Sequence, residues 1–298
     1  MMIMNRKVLI TGATGDTGRA AVKESIEAGL TVRALVRRID ERSAALEALG
    51  AQVVVGDLQN IDEVRAAMEG VDAAYLVYPV APGLITATAY FAQAAREAGV
   101  ATIINLSQRS ASRTSNSPSS KDHYVAEQLL SASGLDVIHL RPTYFLEWLL
   151  YPWQLPLFRE KGILRMPVGK GRHAAIGTED QGRVIAALLK NPDGHIGQTY
   201  PLFGPVEMDH EQMAAELSEA LGRRIVFEDV SIDEYRRSME SAGVPEYVVK
   251  HLSAAMDDYQ HGVMSGMNDN VEKLTGRKPM SVREFARANA DRLNPKVS

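Results

Sequence analysis

The sequence predicts an α/β fold, a doubly wound parallel sheet followed by a smaller C-terminal α+β lobe. Three observations carry this. Residues 7–19 read KVLITGATGDTGR, an aliphatic run, then glycines at 12, 15 and 18, then a segment of helical spacing. Through the first half of the chain, apolar runs of strand length alternate with segments of helical period. Several of those runs lack an alternating apolar–polar pattern, as strands buried on both faces do. The architecture expected is Rossmann-type.

Val8–Ile10 is the first strand, and Ala21, Val22, Ser25, Ile26 and Ala28 mark the helix after the glycines, which Gly29 stops. Residues 31–36 form the second strand, 40–49 a helix, 52–55 the third strand and 61–68 a helix. A fourth strand covers 73–77, an Ala-rich helix 85–98, a fifth strand 102–106, a helix 121–133 and a sixth strand 136–140. Right-handed crossovers put the C-terminal ends of these strands on one edge, where ligands bind. Past Pro142 the rhythm breaks. Residues 144–158 are aromatic-rich with Pro152 and Pro156 inside, and 162–177 hold many glycines and little periodicity. A late strand is expected at 199–203, a short one at 224–230, and helices at 208–221, 232–242, 246–261 and 282–292. Residues 1–150 are read as a nucleotide-binding domain and 151–298 as a smaller substrate-binding lobe, the two intermixed.

The glycine turn has a physical logic. One glycine allows a sharp turn with positive φ, one lets backbone approach a pyrophosphate, and the last lets helix pack closely on strand. The helix N-terminus then offers free N–H groups and a positive dipole end to phosphates. The spacing G-x-x-G-x-x-G differs from the commoner G-x-G-x-x-G, and an ordinary strand–turn–helix also carries glycine trios. A triphosphate P-loop fails, because Gly18 comes one step late and Arg19-Ala20 follow it.

Composition narrows the class. With 298 residues, 45% hydrophobic and 23% charged, the chain is an ordinary globular protein. A net charge of −4 gives no global field for nucleic acid or an anionic membrane. The absence of cysteine removes disulfides, thiolate metal sites and Cys nucleophiles, and fits a cytoplasmic location. The start, MMIMNRK, lacks the apolar run of a signal peptide, and the apolar stretch 73–95 is broken by Pro79, Pro82 and Gly83. The histidines show no helical pairing with an acid between them, so no metal site is expected.

About twenty residues past the glycines, an NAD-specific domain carries an acid for the ribose 2′-hydroxyl. Here stand Arg37 and Arg38. A guanidinium pairs with a 2′-phosphate, so NADP(H) is the favoured cofactor; the plain alternative is a pair of surface arginines capping a strand. Asp57 either contacts the adenine amino group or caps the following helix, a role that suits Asn60 better. Gly12, Thr14, Gly15, Asp16, Thr17 and Gly18 form the expected phosphate cradle, and Leu58 follows Asp57 against the adenine. Val77, Tyr78 and Pro79 end the fourth strand beside the ribose or nicotinamide, and Pro142, Thr143, Tyr144 and Phe145 end the sixth beside the nicotinamide. Tyr78, Tyr144, Phe145, Trp148 and Trp153 are candidates for an apolar, stacking substrate pocket.

TGATGDTG, Arg37, Asp57-Leu58, INLS at 104–107, His123-x3-Glu127 and LRPTYFLEW at 140–148 together resemble the NmrA-like family of atypical short-chain dehydrogenase/reductases. The likeness is strongest up to Trp148, and AGVPEYV at 242–248 also looks like its bacterial members. It implies a Rossmann domain, NADP(H) and one of two functions: reduction of dyes or quinones, or dinucleotide binding as a redox sensor that controls a transcription factor. One departure matters. Ordinary members of the wider group use Tyr-x3-Lys as proton donor and ribose clamp, and none of the ten tyrosines here has Lys four residues on. Aligned on Glu127, His123 takes the place of that Lys and Ser119 that of the Tyr, while Ser107 matches the substrate-binding Ser. His123 and Ser107 are therefore the catalytic candidates, His123 holding the nicotinamide ribose or supplying a proton, and both join the cofactor-binding set.

The expectation is an NADPH-dependent reductase that passes hydride to a small conjugated acceptor, a quinone, dye or enone, which stabilises the added electron pair itself. The alternative is a sensor without catalysis, and only that alternative calls for a protein partner. Monomer and homodimer are equally compatible with the sequence. No direct contact with nucleic acid or membrane is expected.

Overall fold

The computed structural model describes residues 6–295. In chain order, β1 (Lys7–Ile10), α1 (Asp16–Glu27), β2 (Thr31–Val36), α2 (Glu41–Ala48), β3 (Gln52–Val55), α3 (Ile61–Ala67), β4 (Ala73–Leu76), α4 (Leu84–Ala98), β5 (Thr102–Leu106), α5 (Pro118–Ser131) and β6 (Asp136–Pro142) alternate as the sequence predicts. A 3₁₀ turn at Leu146–Leu150 leads into α6 (Leu155–Lys161), β7 (Ile163–Met166), α7 (Thr178–Lys190), β8 (Thr199–Leu202), α8 (His210–Leu221) and β9 (Val226–Asp229). The chain ends in α9 (Ile232–Ser241), α10 (Glu246–Gln260), α11 (Asn270–Thr275), α12 (Val282–Ala288) and α13 (Ala290–Leu293).

The main sheet has seven parallel strands in the order β3-β2-β1-β4-β5-β6-β8. Alternate residues of each strand serve opposite faces. Val8 and Ile10 of β1 join Val32, Ile104 and Ile138 on one face, under Ala21 and Val22 of α1 and Val184, Ile185 and Leu188 of α7. Leu9 joins Leu35, Ala74 and Ile103 on the other, under Val64 and Met68 at the end of α3 and Phe91 of α4. Both faces are apolar because both are covered, which is why the strands read as unbroken hydrophobic runs. A third core, with Trp148, Phe158, Leu164, Met213, Met256 and Phe285, holds the C-terminal helices around the small parallel pair β7–β9. Among the described residues no helix is long and apolar enough to cross a membrane.

Two stretches differ from expectation. Residues 163–166 are a strand, paired Ile163 to Val226 through Met166 to Asp229, although the glycine-rich stretch around them carries no strand signal. Residues 178–190, to which the sequence assigned no element, form α7. Gly182 lets α7 lie against α1: a Cβ there would come within 2.7 Å of the Ala20 carbonyl carbon. The late strand at 199–202 is the eighth in the chain and takes the sheet edge beside β6, with His139 opposite Thr199 and Pro142 opposite Leu202. So the chain after residue 150 returns to the main sheet before building its own core.

Candidate active site

β1 lies between β2 and β4, where the strand order reverses, and a crevice opens over the C-terminal strand ends at such a point. The Thr11 hydroxyl ties the two strand ends together: it accepts from the Val77 N–H at 2.9 Å and donates to the Val77 carbonyl at 3.2 Å. Gly12 turns the chain at φ +55°, where a Cβ would strike Val77 Cγ1 at 2.6 Å. At Gly18, a Cβ would lie 2.7 Å from the Gly12 carbonyl carbon and 2.9 Å from Ala13 Cα, so only glycine lets α1 sit this close to the turn. Gly15 differs. It is extended (φ −82°, ψ 173°) and caps α1 without any side-chain hydrogen bond. Its Cβ would meet only the Gly12 carbonyl oxygen, at 3.3 Å. The N-terminus of α1 therefore has no capping side chain, and Gly15, Asp16 and Thr17 border a cavity.

From this turn a cavity of about 770 Å³ runs along the strand ends. Gly12, Thr14, Gly15, Asp16 and Thr17 line one part, and Arg37, Asp57 and Leu58 lie beyond the end of β2. Arg37 is largely exposed and pairs with Asp57 at 3.3 Å. Arg38 and Arg42 both pair with Asp40, at 3.5 and 2.6 Å. The hydrogen bond from Arg42 holds the Asp40 carboxyl at about 2. Asp57 does not cap α3. Asn60 does, accepting from the N–H groups of Asp62 and Glu63, which leaves the Asp57 side chain on the cavity wall, where its Oδ1 accepts from Gln59 N–H at 2.9 Å.

Val77, Tyr78, Pro79, Ser107 and His123 form the middle of the wall. Tyr78 is braced at the rim, its hydroxyl donating to the Pro82 carbonyl at 3.0 Å and accepting from Gln59 at 3.1 Å. Ser107 Oγ and His123 Nδ1 are both buried without a hydrogen-bond partner. Such atoms are costly unless something completes them. Burial first, and His251 second, push the His123 imidazole down to about 4, against the pull of Glu127 one helical turn away. Glu127 is already engaged, accepting from Arg141 Nε at 2.8 Å and from its Nη2. His123 is thus neutral near pH 7, a hydrogen-bonding group rather than a cationic acid, and the imidazolium role open to it in the sequence finds no support in its surroundings.

Pro142, Thr143, Tyr144, Phe145 and Trp148 line the far part. The Tyr144 ring stands edge-on to Trp148 at 6.0 Å and to Tyr259 at 6.3 Å. Burial raises the Tyr144 hydroxyl well above its ordinary value, so it stays protonated. Two candidates lie off the cavity. Gly18 is packed under the turn, for the reason given above. Trp153 packs on the C-terminal core with its ring 5.0 Å from Tyr151, and Tyr151 occupies the wall in its stead. Sequence reasoning missed other wall residues. Gln108, Arg109 and Ser110 follow directly on Ser107, which it did name, and Arg42 comes from the first turn of α2. His251, Leu252 and Ala255 of α10, and Met264 after it, reach the wall from more than a hundred residues downstream. His251 is tied to the N-cap of α5, its Nδ1 2.7 Å from Ser117 Oγ. No local signal marks these four; only the AGVPEYV stretch before them carried a family likeness.

Residues 4–286 match the NmrA-like family. The chain belongs to the NmrA-like family. It is 32% identical to an NAD(P)H azoreductase of Xenophilus azovorans, over 95% of this chain and 98% of that protein. The triphenylmethane reductase of Citrobacter sp., solved with NADP(H), superposes with a TM-score of 0.81 at 25% identity, covering 95% of this chain and 99% of that one. An NADPH-dependent quinone oxidoreductase from Escherichia coli does so at 0.81 and 25%, covering 94% and 98%. The NmrA-like match therefore extends beyond the nucleotide crevice and includes α10, the C-terminal helix that reaches the cavity wall.

Proposed function

We propose that this chain is an NADP(H)-dependent reductase that passes hydride to a flat, conjugated acceptor such as a quinone or a dye. The observation that carries this reading is the continuity of the cavity: one space joins the glycine cradle and Arg37 to an aromatic end at Tyr144, Phe145, Trp148 and Tyr151. A dinucleotide fits the cradle. Gly15 leaves room that a Cβ would fill, the α1 N-terminus is uncapped, and Ser107 Oγ and His123 Nδ1 lack partners that ribose hydroxyls supply. When bound, the reduced nicotinamide supplies the hydride.

The protein's own part is positioning and exclusion of water. The α1 N-terminus and Gly15 receive the pyrophosphate, and Arg37, turning from Asp57, receives the 2′-phosphate. Ser107 and neutral His123 fix the ribose. Thr143 is held by its hydrogen bond to the Met264 carbonyl, 3.4 Å, which joins the β6 end to the segment after α10. The aromatic end stacks an acceptor plane against Tyr144, Phe145 and Trp148. Among the described residues no group on the wall near Ser107 gives up a proton readily at neutral pH, Arg109 being a cation that keeps its proton, so the chemistry suits acceptors whose reduced form is a delocalised anion or a neutral product. Simple ketones, whose alkoxide needs a proton at once, are poor candidates. Relatives named as azoreductase, triphenylmethane reductase and quinone oxidoreductase support this class. A redox sensor would need the dinucleotide crevice but not the aromatic room beyond it. Fluorescence titration with NADPH, then NADPH oxidation with a panel of quinones and dyes, tests the proposal. Tight binding without turnover on any acceptor would favour the sensor.

A further inference from the structure

Four arginines stand on the cavity wall: Arg37, Arg38, Arg42 and Arg109. The first three cluster at the β2 end, and each pairs with Asp57 or Asp40. Arg109 lies at the opposite end of the crevice. It follows β5, its N–H donates to the Pro142 carbonyl of β6 at 3.0 Å, and its guanidinium lies over the Phe203 ring, just past β8, at 5.8 Å. Among the described residues no carboxylate pairs with it, and its Nε is buried without a hydrogen-bond partner. The charge that bears on it is another cation, Arg141, and burial together with Arg141 lowers its proton affinity.

Other arginines held inside this protein have a carbonyl or a carboxylate against the guanidinium, even where, as at Arg183 beside Asp180, the Nε itself lacks a hydrogen-bond partner. Arg33 donates to the Ala67 and Glu69 carbonyls at 2.6 and 3.0 Å, Arg223 to the Phe158 and Leu293 carbonyls at 2.9 Å each, and Arg141 to Glu127. A half-buried guanidinium with only an aromatic face for company loses solvation and gains little from the cation–π contact in return. An oxyanion would complete it with a forked, charge-assisted pair. The pyrophosphate and 2′-phosphate belong to the cradle and Arg37 at the other end of the sheet, so the anion is not theirs.

Resting on the reductase reading above, we infer that Arg109 anchors an oxyanion, carboxylate or sulfonate, borne by the acceptor, and that the enzyme prefers anionic conjugated acceptors over neutral ones of the same shape. The test uses menadione and the naphthoquinone sulfonate that carries a sulfonate in place of its methyl group. The readout is the ratio of kcat/KM for sulfonate over menadione, in wild type and in Arg109→Gln and Arg109→Lys. Comparing ratios cancels the difference in redox potential between the two quinones. Arg109→Gln should lower the ratio roughly 10- to 100-fold, as the loss of a charge-assisted pair does, and Arg109→Lys should lower it less. An unchanged ratio overturns the inference. So does an Arg109→Gln variant whose NADPH affinity falls by the factor lost in turnover, for the cation would then serve the cofactor. If wild type reduces neither these quinones nor any dye of the panel, the reductase reading fails on its own, and quenching of tryptophan fluorescence by the sulfonate still decides the anchor. Quenching weakened at least tenfold in Arg109→Gln supports it, and equal quenching overturns it.

Discussion

Replacing Gly15 by valine separates what the glycine turn does for the fold from what it does for a ligand. The backbone at Gly15 is extended, φ −82°, a geometry any residue adopts. Its Cβ meets only the Gly12 carbonyl oxygen at 3.3 Å, a contact relieved by a few tenths of an ångström. A residue with fewer unfolded conformations than glycine gains about 0.4–1 kcal/mol where its geometry fits, so the net stability change should lie within about 1 kcal/mol of zero. The same side chain projects into the cavity where a pyrophosphate would approach the α1 N-terminus. Losing two hydrogen bonds to a charged group, each worth about 1.5–3 kcal/mol, raises the NADPH Kd by roughly 10² to 10⁴. Gly18→Ala is the contrasting case. Its Cβ would lie under 3 Å from backbone atoms of Gly12 and Ala13, which cannot swing aside. Overpacking of this kind costs about 1–3 kcal/mol, or a Tm drop of roughly 2–12 °C for a chain of this size. Thermal melts and NADPH fluorescence titrations on both variants measure the two effects. A Gly15→Val protein that binds NADPH within about threefold of wild type, or that melts as low as Gly18→Ala, would refute the assignment of Gly15 to the ligand.

Three further outcomes are expected. Arg37→Ala should weaken NADPH binding roughly ten- to hundredfold and leave NADH binding nearly unchanged, because its partner Asp57 is an exposed acid and not a structural contact; equal affinity of wild type for the two cofactors would contradict it. His123→Ala should lower turnover less than about tenfold while raising the NADPH Kd, with a wild-type rate profile flat around neutrality because the imidazole titrates at about 4; a loss of roughly 10²–10⁴ would mean it is a general acid after all. Stability should fall as pH drops from about 7 toward 5. The folded pKa values of His123 and His251, about 4, and of His210, about 3, lie below the unfolded value, so the unfolded chain takes up protons first from about pH 6.5 downward. Glu147 and Asp180, raised by burial, act in the opposite sense once carboxyls begin to protonate. His210→Phe, which removes a fully buried ring whose two nitrogens lack partners, should raise Tm by roughly 2–10 °C and shallow the acid slope; a flat or rising Tm between pH 7 and about 5 in the wild type would count against this.

The nucleotide half was legible because its physics is local. A buried parallel strand must be apolar along its length, a crossover helix must show one apolar face, and the turn between them must spare room, so Val8–Ile10, the three glycines and Ala21–Val22 announce themselves within fifteen residues. Arg37 was legible for the same reason, since its distance from the glycines is set by one helix and one strand. The rest depends on contacts distant in sequence. β7 is a strand because Gly162 turns the chain and β9 pairs with it sixty residues later, which no window around 163–166 contains. α7 carries Gly182 inside it, a residue that ordinarily weakens a helix, and the close approach to Ala20 that explains it appears only in three dimensions. Trp153 was assigned to the cavity on residue type alone, and the 3₁₀ turn at 146–150 sends Tyr151 there instead.

The pocket's chemistry follows from what surrounds His123. Burial, reinforced by His251 and opposed by Glu127, discharges the His123 imidazole. Glu127 cannot recharge it, because Arg141 takes both carboxylate oxygens. The titratable hydroxyls at the aromatic end, Tyr144 and Tyr151, are raised rather than lowered by burial, so they neither ionise nor gain acidity. The site is left with hydrogen-bond donors and acceptors but no strong acid at neutral pH. Such a site cannot rescue an alkoxide as it forms, and gains most from acceptors that spread the incoming electron pair over a conjugated frame. On the reading proposed above, a discharged His123, a protonated Tyr144 and an aromatic end wall would all favour the same class of acceptor. Reintroducing solvent at this end, for example by Trp148→Ala, should therefore loosen the acceptor range before it disturbs the dinucleotide.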